Sequence, residues 1–315
     1  MVATAEHSEP PTRRVLGFFL VLLVLALFRL ALPYLSLPVG VLPVASFLVT
    51  AVFLATPILA IFGVAGIGWT PRAALLWVCL GLLAHLSLVG LGRSGAFGEG
   101  FGAQAAFAFG QIGLVTWTTG LGAALALLMK DRNMLLPVAL FLAGFDFMLV
   151  MTPSGPVQLI MQAAPQVFPA VAYAVPTVGS VSELAHIGPA DFLFLSMFAV
   201  AMARFDMESR VALIWILPTL FAYLILVIVA GDAQIGMFSL RMLPALVPIG
   251  IVILLVNRRH FRLTRDEWLS TGFVALLVVG VIAWGMSRPR PPVEIVPTED
   301  VPGSQEWGET PGPGL

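Results

Sequence analysis

Nine stretches of about twenty predominantly apolar residues follow one another along the chain, near 15–33, 44–67, 72–92, 103–129, 134–152, 188–205, 211–231, 240–257 and 270–287. A bilayer core about 30 Å thick needs roughly that much helix to cross it. The runs are continuous rather than alternating, which predicts helices and not barrel strands. Composition agrees: 59% of the 315 residues are hydrophobic and 10% charged, against about 25% charged in a soluble domain. Polar groups could not cover the surface of such a chain in water. An ordinary soluble enzyme, a nucleic-acid binder and a disordered chain are thereby excluded. The net charge of −1 gives no electrostatic reason to meet nucleic acid. The single cysteine, Cys79, forbids an intrachain disulfide and a cysteine-built metal site. The expected fold class is all-α: a polytopic transmembrane helix bundle of about nine spans, in a multi-pass integral membrane protein.

The chain divides accordingly. Residues 1–14 form a polar N-terminus closed by Arg13-Arg14. The run that follows is too long for a signal peptide and lacks a small-x-small cleavage site, so it is expected to stay as the first span. Residues 15–132 make an N-terminal bundle of four spans, 133–257 a core interrupted by an apolar loop at 153–187, and 270–287 a last span. Residues 288–315, rich in Pro, Gly and acids, are expected to be disordered. Pro153, Pro156, Pro165, Pro169 and Pro176 break the 153–187 loop too often for a spanning helix. A short helix at 157–164 is its expected content.

Most of the 17 acidic residues fall in loops or tails, but Asp146 and Asp191 sit inside apolar spans. A carboxylate in lipid costs at least a few kcal/mol, so such residues mark function by default. Asp146 lies seven residues before Pro153, and Asp191 three residues after Gly188. Antiparallel helices joined by one loop then carry both within about 10 Å of the same membrane face. Two neighbouring carboxylates cannot both ionise readily and share a proton. An aspartic protease needs that arrangement: one carboxylate takes a proton from water while the other polarises the scissile carbonyl. It requires no metal and no cofactor. Burial and spacing alone favour a proton or cation site in a transporter over the protease, and also fit a buried structural pair.

Three ordered segments resemble the presenilin-type intramembrane aspartyl proteases of the presenilin and signal peptide peptidase superfamily. Phe145-Asp146 is followed by Met151-Thr152-Pro153-Ser154-Gly155-Pro156-Val157 and then Phe168-Pro169-Ala170. This is similar to the family's aromatic-Asp pair, its Pro-x-Gly-Pro and its Phe-Pro-Ala. Gly188-Pro189-Ala190-Asp191-Phe192 resembles Gly-x-Gly-Asp-Phe, and Leu243-Pro244-Ala245-Leu246 contains the Pro-Ala-Leu of a late span. The match covers about residues 140–256. It implies a catalytic dyad of Asp146 and Asp191. It also implies that Pro244, Ala245 and Leu246 shape the site and, with Phe145, Gly188, Ala190 and Phe192, meet the substrate. The stretch at about Val178–Ile187 would pair with an extended substrate. Substrates would be single-span membrane proteins, cut within the lipid bilayer. As a homologue of prokaryotic type, the chain would sit in an inner or plasma membrane. With no large extra domain it is expected to act alone or as a homo-oligomer. A catalytically inactive relative is the third alternative, beside the transporter. Ala190 stands where the family has glycine, and its methyl group is expected to narrow the site. Four spans precede the one bearing Asp146 and four follow it, where presenilins have five and three; 270–287 is the addition.

Arg13, Arg14, Arg72, Lys130, Arg132, Arg204, Arg210, Arg258, Arg259, Arg262 and Arg265 fall on one side of the nine-span topology. Only Arg29, Arg93, Arg241, Arg288 and Arg290 fall on the other. The positive-inside rule puts the N-terminus in the cytoplasm and the loop between the aspartates outside. His85 has no second donor at i+4 and is expected to be a satisfied bundle histidine. Gln104, Gln111, Thr116, Thr118 and Thr119 are expected to bond between helices, a polar substrate path being the alternative.

Overall fold

The computed structural model describes residues 10–98, 100–151, 171–180, 183–230, 234–235, 238–239 and 244–287. Among them run nine α-helices: α1 (Pro11–Ala31), α2 (Leu42–Ala65), α3 (Pro71–Arg93), α4 (Phe101–Leu128), α5 (Leu135–Met151), α6 (Pro189–Arg204), α7 (Ser209–Ala230), α8 (Leu246–Asn257) and α9 (Arg265–Ser287). The protein is a helix bundle, and seven of these helices are long and apolar enough to cross a membrane: α1 to α5, α7 and α9. The other two, α6 with 16 residues and α8 with 12, are shorter than the runs at 188–205 and 240–257. Their starts explain it. Proline is best tolerated in the first turn of a helix. Pro189 therefore opens α6, and Pro248 keeps α8 from extending far towards the N-terminus. Helix α1 starts at Pro11, inside the stretch expected to be a polar terminus, because a proline suits the first helical position.

Helix α4 is the centre and α9 the rim. In their apolar windows 61% of α4 is buried but only 11% of α9. Helix α4 packs on α3, α6 and α1. Backbone meets backbone there: a Cβ added at Gly120 would lie 2.8 Å from the Ala74 carbonyl and the Val78 nitrogen on α3. Small residues bring spans together where lipid supplies no hydrophobic drive between them. His85 Nδ1 donates to the Gly110 carbonyl at 3.0 Å across this contact, a satisfied histidine. The threonines of α4 correct their expectation. Thr116, Thr118 and Thr119 donate to Ile112, Leu114 and Val115, all within their own helix. The preceding turn offers the nearest acceptor, so no neighbour is needed.

One end of the bundle is tied by polar side chains. Arg204 Nη1 donates to the carbonyls of Ala126 (3.0 Å), Leu127 (3.2 Å) and Met129 (2.8 Å), closing the C-terminus of α4 as a cation suits. Asn133 Nδ2 donates to the Arg262 carbonyl, and its Oδ1 accepts from the Arg262 N–H. Buried Asn257 accepts from the Glu208 N–H at 2.9 Å. The three basic clusters near 130, 204–210 and 258–265 thus meet at one end. From that end Asp146 lies eleven residues along α5 from Leu135, and Leu246 eleven residues along α8 from Asn257. At 1.5 Å per residue both stand roughly 16 Å up, and Asp191 on α6 roughly 20 Å above Arg204.

Two hairpins interrupt the bundle. Strand β1 (Tyr173–Pro176) pairs antiparallel with β2 (Glu183–Ile187), placing Tyr173 opposite Ile187 and Ala174 opposite His186. Strands β3 (Gln234–Ile235) and β4 (Phe238–Ser239) form the second. The first occupies the end of the 153–187 loop. Val178, expected in the pairing stretch, lies in the turn and is buried. The short helix expected at 157–164, the Phe168-Pro169-Ala170 motif and the tail at 288–315 lie outside the described residues.

Candidate active site

Helix α5 carries Asp146 in an otherwise apolar sequence, LLPVALFLAGFDFMLVM. Helix α6 carries Asp191 in its first turn, with Gly188 as N-cap and Pro189 next. The Asp191 N–H donates to the Gly188 carbonyl at 3.1 Å. Its carboxylate lies close enough to the Gly188 N–H to feel it, as an acid at the third helical position does. The positive end of the helix dipole meets this carboxylate. A Cβ at Gly188 would stand in ordinary contact with Asp191 Oδ2, at 3.4 Å.

Helix α8 brings in the third motif. It packs on α5, α6 and α7. At its start the Leu246 N–H donates to Asp146 Oδ2 at 2.9 Å. That N–H belongs to the first helical residue and has no acceptor inside the helix, so it is available to the aspartate. Asp146 and Asp191 lie within each other's electrostatic reach, and both are half-buried. Three motifs separated by up to a hundred residues therefore converge on one place, with Asp146 held by the Leu246 N–H and Asp191 beside it.

The remaining expected residues are distributed unevenly. Phe145 is exposed and stacks on Phe141, with centroids 5.7 Å apart. Phe192 is 2% exposed and packs edge-on against Tyr173 at 5.2 Å, turned into the core. Pro244 and the Leu246 side chain are buried, and Ala245 is half-buried. Ala190 is exposed, so its methyl group does not fill the core around Asp191. Among the described residues no group of three or more His, Cys, Asp or Glu is placed to hold a metal.

Three further residues belong to this region. Gln111 on α4 acts as a strand neighbour to β1. Its Nε2 donates to the Ala172 carbonyl (3.4 Å), and its Oε1 accepts from the Ala174 N–H (3.2 Å). Arg29 on α1 donates to the Ala174 carbonyl and lies over the Phe107 ring, 4.8 Å from its centroid. One edge of β1 is thereby filled by side chains and the other by β2. Among the described residues no strand pairs with the outer edge of β2. Tyr223 on α7 donates its hydroxyl to the Pro244 carbonyl at 3.2 Å and lies within electrostatic reach of both aspartates. A signal was present: the chain has three tyrosines, and Tyr223 is the one set within a long apolar span.

Among known proteins the chain matches no family model, no curated protein and no solved structure.

Proposed function

We propose that the protein is an intramembrane aspartyl endopeptidase of presenilin type. One observation carries this reading: Asp146, Asp191 and the Pro-Ala-Leu segment, scattered in sequence, share one place in the bundle. Water between the carboxylates loses a proton to the ionised one and attacks the peptide carbonyl, while the protonated one donates to the carbonyl oxygen. The resulting diol collapses as a proton passes to the leaving nitrogen. A helical peptide bond is shielded, so a single-span substrate must unwind, and the stretch ending at Ile187, just before Asp191, is the support for it as an extended strand. That stretch leads through Ile187 and Gly188 into the helix that carries Asp191. In this reading α6 and α8 add the two spans that make nine, in a prokaryotic inner or plasma membrane.

The test is cleavage of a model single-span substrate by protein reconstituted in liposomes. Asp146→Ala and Asp191→Ala should each abolish cleavage while leaving the protein folded in the bilayer. Unchanged turnover in either variant would overturn the mechanism.

A further inference from the structure

The geometry points to Tyr223 as a positioning residue: its hydroxyl fixes the Pro244 carbonyl and so holds the start of α8, with its Leu246 N–H, against Asp146. The inference rests on the proposed reading for its effect on catalysis, but not for its effect on structure.

The sequence creates the need. In a regular helix the carbonyl of residue 244 accepts from the N–H of residue 248. Residue 248 is proline, which has no N–H, and its ring crowds the carbonyl four residues back. Ala245 has helical dihedrals, φ −71° and ψ −26°. Its peptide with Pro244 is therefore oriented as in the helix, and the Pro244 carbonyl points along α8 towards that ring. The first helical bond is the next one, from the Ile249 N–H to the Ala245 carbonyl at 3.3 Å. Pro244 is buried, and a carbonyl without a donor in such surroundings is costly. Tyr223 supplies the donor from α7 at 3.2 Å. Two residues further on, the Leu246 N–H reaches Asp146. A short chain of bonds thus runs from Tyr223 through the Pro-Ala-Leu segment to the aspartate. Phenylalanine at 223 would keep the packing and remove only the donor.

The experiment compares wild type, Tyr223→Phe, Pro248→Ala and the double variant in lipid nanodiscs. Amide exchange over the start of α8 is read by mass spectrometry, and substrate cleavage is read against pH. Tyr223→Phe should speed exchange at Leu246 about tenfold, the size of one lost hydrogen bond, and lower kcat/KM by a similar factor. The limb of its pH profile set by Asp146 should move, because the bond that Asp146 accepts from the Leu246 N–H is loosened. Pro248→Ala restores an N–H to the Pro244 carbonyl, so the double variant should recover slow exchange and most of the cleavage. Exchange unchanged in Tyr223→Phe, or no recovery in the double variant, would overturn the inference. Loss of protection throughout the bundle would also overturn it, as a general packing role. Should cleavage prove independent of the aspartates, the enzyme reading fails alone; the exchange result still decides the role of Tyr223.

Discussion

The Leu246 N–H donates to Asp146 Oδ2 at 2.9 Å across a hundred residues of sequence. This bond joins the first aspartate to the Pro-Ala-Leu segment and makes charge and geometry separable. Asn at 146 keeps an acceptor of the same shape for Leu246 but cannot take a proton from water. A hydrogen bond to a charged acceptor contributes about 1.5–3 kcal/mol and a neutral one about 0.5–1.5. Asp146→Asn should therefore lower stability by only about 1 kcal/mol. Its cleavage rate should fall by about 10²–10⁴, the usual worth of acid–base catalysis. Thermal denaturation and substrate cleavage on the same preparation check both numbers. A fold lost together with the activity would make the charge of Asp146 a structural requirement and leave its proton transfer unsupported.

Gly122 sets the position of the second aspartate. It faces α6, where an added Cβ would collide with the Leu193 carbonyl, two residues past Asp191, and lie 2.8 Å from the Met197 nitrogen. Backbone atoms cannot turn aside as a side-chain end can. Gly122→Ala should push α6 outward, cost about 1–3 kcal/mol as overpacking does, and cut cleavage by at least tenfold. Gly90→Ala on α3 meets no atom within 4 Å and serves as the control, with stability and cleavage unchanged. Equal effects from the two substitutions would deny Gly122 its place in the site.

What the sequence disclosed follows from how strongly each feature is forced. Apolar runs in a chain 10% charged have one solvent open to them, so the bundle was legible. Asp146 and Asp191 stood out because a carboxylate in lipid needs a reason. The short α6 and α8 were not legible. Hydropathy continues back through Gly188 and through Pro244-Ala245, although the helices begin only at Pro189 and Leu246. Strand β1 was hidden because Pro176 ends it and other prolines precede it, and prolines read as breaks. Gln111 was expected to bond between helices, but its partner is the β1 backbone, a partner no helix pattern announces.

Gln111 holds both polar groups of an amide-to-backbone pair while being 4% exposed. Gln111→Leu, nearly equal in volume, strips the Ala172 carbonyl and the Ala174 N–H of their side-chain partner. Each buried group left unsatisfied costs about 1–3 kcal/mol. The hairpin that precedes Asp191 should loosen, which amide exchange over 171–187 would register as faster labelling. Cleavage should fall through a raised KM if the stretch leading to Asp191 receives substrate. A fall in kcat at constant KM would separate the hairpin from substrate binding.

A peptide analogue with a hydroxyl-bearing tetrahedral carbon in place of the scissile carbonyl distinguishes the protease from a proton- or cation-coupled transporter built on the same two acids. Such a compound imitates the hydrated peptide bond, and a hydrolase binds the transition state more tightly than the substrate. Its hydroxyl would replace the attacking water and bond to both carboxylates, so binding should need both Asp146 and Asp191. Expected are saturable binding to protein in nanodiscs at least a hundredfold tighter than that of the matching substrate peptide, and loss of that advantage in Asp146→Asn and Asp191→Asn. A transporter has no tetrahedral state to stabilise. It would bind the analogue and the plain peptide alike, and in liposomes the same substitutions would instead abolish movement of a proton or cation down an imposed gradient.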